Sequence, residues 1–137
     1  PGDLRVINSF IQKAIQGKIE LLDYGEAKRT YCYVADAVEI LWHILLKGEE
    51  SVYNVGGFSS IAIADLARKI GKYLNIPVTF PKTSSGGVSG APIDVSLDMT
   101  KVKREFGNTK YVPFDEGLER TIEWQKELYQ LYLNNEK

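Results

Sequence analysis

The sequence predicts a single mixed α/β domain, and three observations lead there. Stretches with the i, i+3, i+4 apolar spacing of amphipathic helices alternate with short β-rich runs along the whole chain. At 137 residues, the span 1–137 makes one domain at most. A composition of 44% hydrophobic and 26% charged residues is that of a globular chain with a real, if modest, core.

Element by element, Val6, Ile7, Phe10, Ile11, Ala14 and Ile15 predict a helix over 4–16 that stops at Gly17. Ile19 to Leu22 reads as a strand, 23–26 as a turn and Tyr31 to Val34 as a second strand. Asp36 to Leu46 is apolar and helical. Val52 to Val55 reads as a strand running into Gly56-Gly57, after which Ser59 or Ser60 caps a helix over 62–74. Val78 to Phe80 is extended, 83–92 is a mobile loop, and Asp94 to Leu97 is a strand. Asp98 caps a short helix closing at Gly107, and a last helix starts near Asp115. No repeat is visible.

A formal net charge of −1 with no basic block argues against nucleic acid as a partner. The longest apolar run, 40–46 with His43 inside it, is too short to cross a bilayer, and no signal peptide is read. A lone cysteine, Cys32, excludes an internal disulfide and fits a cytoplasmic location; as a small strand residue it is expected to be buried and inert. One His and one Cys make a zinc cage implausible. His43 has no carboxylate or serine partner in the pattern and reads as structural. The opening Pro1-Gly2-Asp3, without Met, leads us to expect a fragment of a longer enzyme.

No Gly-x-Gly pair occurs, so the dinucleotide-binding fingerprint is missing. Tyr24 and Lys28 have the Tyr-x-x-x-Lys spacing of short-chain dehydrogenases, in which Lys lowers the Tyr pKa. That device needs both groups on one helix face, and Gly25 places this pair in a turn. No catalytic residue is therefore assigned.

The run Gly17-Lys18-Ile19, Arg29-Thr30-Tyr31-Cys32-Tyr33-Val34-Ala35-Asp36, Val52-Tyr53-Asn54-Val55-Gly56-Gly57 is more specific. It is followed by Leu97-Asp98-Met99-Thr100-Lys101 and by Glu116-Gly117-Leu118 with Thr121 and Trp124. Five such elements in this order resemble the C-terminal portion of the extended short-chain dehydrogenase/reductase family: nucleotide-sugar epimerases, dehydratases and decarboxylases. Pro1-Gly2 matches the end of that family's cofactor half. The resemblance implies a small mixed α/β substrate-binding domain lacking the N-terminal Rossmann domain. It implies that NAD or NADP serves the full-length enzyme and that none is bound by this fragment, which is expected to be inactive alone. The partners implied are a nucleotide-sugar substrate and the missing Rossmann half, and the family pattern leaves room for a homodimer.

The resemblance also suggests roles. Arg29 stands where the family contacts the substrate diphosphate, for which a guanidinium fork is well matched; the alternative is an exposed Arg at a strand entrance. Val6, Ile7 and Asn8 sit where family backbone touches the nucleotide, with Asn8 in place of the usual Pro; periodicity explains Val6 and Ile7 equally well. Leu22 offers apolar contact beside the base, or packs in the core. Asn54, also a candidate substrate contact, shapes a strand-to-helix turn with Gly56 and Gly57. Tyr33 belongs to the Tyr-Val-x-Asp motif, in which Asp36 reads as a helix cap. At 86–94, where many members carry a second Arg, this chain has none; Arg5, Lys82 or backbone N–H groups are the replacements considered. Two readings remain open at this point: the substrate domain of a sugar-nucleotide enzyme, or a stand-alone binding or regulatory module without catalysis. A purely structural module is a third.

Overall fold

The computed structural model describes residues 5–83, 92–107 and 110–135. Among the described residues, five helices and four two-residue strands form a mixed α/β arrangement. They are α1 (Val6–Ile15), β1 (Ile19–Glu20), β2 (Lys28–Arg29), α2 (Val34–Lys47) and β3 (Ile61–Ala62). α3 (Ile63–Leu74), β4 (Val78–Thr79), α4 (Thr100–Phe106) and α5 (Phe114–Asn135) follow.

The main core grows from the periodicity of α1 and α3. Phe10, Ile11 and Ala14 of α1 meet Leu66, Ala67 and Ile70 of α3, with Ile19 and Leu21 below and Leu118 and Ile122 of α5 closing the side. Gly17 takes φ +108 just past α1 and returns its N–H to the Ala14 carbonyl at 2.9 Å, a turn that side chains other than hydrogen disfavour. That turn sends β1 back to pair in parallel with β4, Ile19 opposite Val78 and Glu20 opposite Thr79. Asn75, in the left-handed conformation, ends α3 ahead of Pro77.

A second, smaller cluster holds Ile40 of α2 against Met99, just ahead of α4, and Val102 of α4, flanked by Ile44, Tyr53, Val55, Phe106 and Tyr111. His43 stacks on Phe106 of this cluster with centroids 5.6 Å apart, and, contrary to expectation, it has a carboxylate neighbour, Glu39 at 3.8 Å one turn earlier on α2.

Several elements differ from the sequence expectation. The strand expected at 31–34 forms earlier, at Lys28–Arg29, which pairs antiparallel with Ile61–Ala62. Farther on, the Ser59 hydroxyl takes the ladder's place, accepting from the Tyr31 N–H at 3.2 Å and donating to its carbonyl at 3.0 Å. Ser59 therefore does not cap α3, and Ala62 is the N-cap residue. The first amides of α3 are satisfied by the loop ahead of β2: Ile63 donates to the Ala27 carbonyl and Ala64 to the Gly25 carbonyl, each at 2.9 Å. Residues 52–55 form no ladder with any described strand. The strand expected at 94–97 shrinks to one parallel bridge, Asp94 to Lys28. Asp98 does accept the first amide of α4, Thr100 N–H, at 2.9 Å. Most of the loop expected at 83–92 lies outside the described residues.

Candidate functional site

A cleft of about 980 Å³ opens between the start of α1, residues 31–34, residues 57–59, residues 111–114 and the first half of α5. Gly57 makes its wall possible, because a Cβ there would sit 2.0 Å from the Tyr31 carbonyl oxygen. Across the cleft, Tyr33 lies 3.1 Å from where a side chain on Gly117 would begin, so a glycine early in α5 lets the ring settle on the helix.

Val6, Ile7 and Asn8 all line this cleft. Val6 and Ile7 also pack on the main core, as their periodicity requires. Asn8 accepts from the buried Gln125 amide at 2.6 Å, which ties α1 to α5. Tyr31 and Cys32 line it too, ahead of α2, with Tyr33, the N-cap residue of α2, beside them.

Asp36 does not cap α2. It lies within the first turn, is 3% exposed, and accepts the Val112 N–H at 3.0 Å. A buried carboxylate needs such a donor, and the bond holds 111–114 against α2 as one wall of the cleft. Cys32 sits in no strand and is only partly buried, unlike the expectation. Burial pushes its thiol up, with nearby Asp36 adding to the effect. Burial likewise raises the Tyr31 hydroxyl, opposed by the charge of Arg29, and raises that of Tyr111. Thiol and phenols alike thus stay protonated at neutral pH, which suits hydrogen bonding and packing rather than nucleophilic or base chemistry.

The other candidates stand apart from the cleft lining. Arg29 donates from Nη1 to the Lys28 carbonyl at 2.6 Å and the Pro92 carbonyl at 3.0 Å. Among the described residues no carboxylate pairs with it, and its charge reaches the phenol of Tyr31. Leu22 is 83% exposed, so core packing falls to Leu21 instead, as the alternation of side chains along an extended segment requires. Asn54 donates to the Asp98 carbonyl at 2.9 Å and anchors its own segment to the start of α4. Tyr24 is exposed in a loop while Lys28 lies in β2, so the pair shares no helix face.

Sequence reasoning missed Tyr111, Phe58 and Arg120. Arg120 lies over the Tyr33 ring at 5.5 Å and pairs with Glu116. In the sequence, Glu116 and Arg120 read as an ordinary i, i+4 surface pair, and only the approach of residues 31–34 makes them part of a site.

Residues 1–56 match the family model described as the NAD dependent epimerase/dehydratase family. A UDP-N-acetyl-alpha-D-glucosaminuronate decarboxylase of Bacillus cytotoxicus is 32% identical over 133 residues, covering 90% of this chain and 40% of its own. A dTDP-D-glucose 4,6-dehydratase of Mus musculus is 30% identical over 144 residues, covering 95% and 41%. The Bordetella bronchiseptica enzyme WbmF, solved in complex with NAD+ and UDP, superposes with TM-score 0.72 at 28% identity, over 93% of this chain and 37% of that one. A UDP-glucose 4-epimerase of Thermotoga maritima shares the fold, with TM-score 0.77 at 24% identity over 93% and 41%. The chain spans about two fifths of the length of these curated relatives. No described helix is long and apolar enough to cross a membrane.

Proposed function

We propose, from the match of residues 1–56 to the NAD dependent epimerase/dehydratase family model and the likeness to the curated relatives, that this chain grips the nucleotide-diphosphate part of a nucleotide sugar. The sugar would be turned over by an NAD(P)-dependent epimerase, dehydratase or decarboxylase whose cofactor-binding and catalytic portion lies outside residues 1–137. A cytoplasmic setting is part of the same proposal.

Arg29 is the observation that carries it. Its guanidinium bonds neutral carbonyl oxygens, so its positive charge is left for another anion, and the motif resemblance would put it at the substrate diphosphate. A fork of N–H donors grips diphosphate oxygens in two places, which orients as well as binds. Val6, Ile7 and Asn8 would flank the nucleotide from the start of α1, with Leu22 and Asn54 as further candidate contacts.

The proposal assigns no dinucleotide to the described residues. Among the described residues, Gly56 and Gly57 are the one adjacent glycine pair, and the space beside them is filled by Leu97 and by the Tyr31 carbonyl. What these residues contribute is position and binding energy for a reaction completed elsewhere.

Titration calorimetry with UDP and with dTDP tests this. Arg29→Ala should weaken binding by about 1.5–3 kcal/mol, the range for a hydrogen bond to a charged group, or roughly 10- to 150-fold. The unfolding midpoint should stay put. Arg29→Lys, which keeps the charge but loses the fork, should fall between. Binding that survives Arg29→Ala unchanged rejects the assignment.

A further inference from the structure

Arg29 is anchored to a surface segment that keeps its place without a core. Every residue from Pro92 to Asp98 is exposed, and none belongs to either apolar cluster. Burial therefore does little to fix this segment, and hydrogen bonds do most. It runs parallel to 28–30, with Asp94 bridged to Lys28 and the Lys28 N–H donating to the Ile93 carbonyl at 2.7 Å. To one side of that bridge, Arg29 Nη1 donates to the Pro92 carbonyl at 3.0 Å. To the other, the Thr30 hydroxyl donates to the Val95 carbonyl at 3.0 Å. Asn54 holds the far end at the Asp98 carbonyl, at 2.9 Å.

The two carbonyls that Arg29 touches differ in what they fix. The Lys28 carbonyl belongs to the preceding residue, so it travels with the arginine's own backbone. The Pro92 carbonyl lies 63 positions along the chain and gives the guanidinium a direction relative to the rest of the domain. An arginine that must grip an anion gives up rotamer freedom. An anchor that takes part of that loss beforehand raises affinity without adding a contact to the ligand. Such an anchor is only as good as the placement of Pro92. Thr30 contributes to that placement from the residue next to Arg29. Its β-branched side chain is stiff at χ1, so a hydroxyl bonded to the Val95 carbonyl holds 92–95 in register beside β2.

We propose that Thr30 is a positioning residue for diphosphate binding. Its hydroxyl, through the Val95 carbonyl, sets the register of 92–95 and so holds the Pro92 carbonyl where it aims the Arg29 guanidinium. The inference rests on the function proposed above, in which Arg29 meets the diphosphate. Thr30 acts through Arg29 and needs no contact of its own with the phosphates.

A double-mutant cycle of Thr30→Val and Arg29→Ala tests it, by titration calorimetry with UDP and with dTDP on the natural polypeptide that contains residues 1–137. Thr30→Val keeps the shape of the side chain and removes the donor. It should weaken binding about 2- to 10-fold, the range for a neutral hydrogen bond. Thr30→Ser, which keeps the donor, should bind within about twofold of the parent. In the Arg29→Ala background, Thr30→Val should change affinity by less than about twofold, because no guanidinium is left to aim. Every variant is titrated well below its unfolding midpoint, so a lower midpoint in Thr30→Val leaves the comparison intact. An equal loss in both backgrounds means that Thr30 acts without Arg29 and overturns the proposal. A loss in Thr30→Ser as large as that in Thr30→Val overturns it too. Weaker binding in Arg29→Ala with parent affinity in Thr30→Val keeps the diphosphate site and discards the role of Thr30. Parent affinity in Arg29→Ala, or a parent that binds neither diphosphate, overturns both.

Discussion

Helices α2 and α3 are of similar length and both bury one face in this domain, yet they finish their outer faces in opposite ways. α3 turns Ala64, Leu66, Ala67 and Ile70 inward and presents Asp65, Arg68, Lys69 and Lys72 outward, with Arg68 bonding Asp65 at 2.8 Å and Lys69 bonding Asp115 at 2.7 Å. α2 presents leucines and a tryptophan. An amphipathic helix is complete once its stripe is covered, and α3 is complete. α2 has the composition of an interior helix, yet its second apolar face is open among the described residues. The same contrast separates the two sides of the cleft. The α1–α3–α5 core covers the apolar stripe of α3, and the α2 side leaves its own outer face exposed.

The sharpest way to break the comparison is to delete matched side chains. Leu66→Ala should cost about 2–5 kcal/mol in urea unfolding, because Leu66 is fully buried between α1 and α3. Leu45→Ala in the 137-residue chain should change stability by no more than about 0.5 kcal/mol. A Leu45 deletion as costly as that of Leu66 would mean that the outer face of α2 is already covered, and the contrast would fall.

A middle-sized effect is expected at the junction of the two sides. Gly57→Ala would push a methyl group against the Tyr31 carbonyl, and backbone cannot swing aside as a side chain can. The expected loss is about 1–3 kcal/mol, again by urea unfolding. Full stability in that variant would show that the 31–34 and 57–59 walls are not locked together.

The smallest effect concerns pH on the α2 side. The Tyr53 hydroxyl chiefly holds the Glu105 carboxyl below the usual carboxylate range, and Arg104 and Lys101 do the same for Glu50. Groups depressed in the folded state stabilise it fully above the unfolded value of about 4.3, and that contribution is lost as pH falls through the depressed folded value. Tyr53→Phe should therefore melt lower at pH 7 but lose less on acidification, a difference of melting temperatures between pH 7 and pH 3. The same acid-induced drop in both proteins would show that this bond carries no linkage.

How much was legible in advance follows from which forces are local. The helices α1, α3 and α5 were readable because a 3.6-residue apolar stripe is written in neighbouring residues. The stop at Gly17 and the Asp98 bond to Thr100 were readable for the same reason, since both act within a few positions. The strands were the weak point. Their short β-rich runs state a propensity, but a ladder needs a partner, and the partner of 28–29 lies at 61–62 while 52–55 has none among the described residues. Asp36 was misread because a carboxylate near a helix start fits a cap, whereas its acceptor role was claimed by Val112, far along the chain. Arg29 could be picked out by its motif and by the chemistry of a guanidinium, but not its anchoring to the Lys28 and Pro92 carbonyls.

By itself, then, the sequence determined the helices, the mixed α/β class and the family resemblance, because periodicity, composition and ordered short motifs are properties of neighbours along a chain. Only the tertiary structure decided that Val6, Ile7 and Asn8 share a cleft with Tyr111 and Arg120, and that Leu22 faces solvent while Leu21 is buried. It alone left the outer face of α2 bare. These outcomes depend on which distant surfaces meet, and burial, pairing and exposure are settled by that meeting.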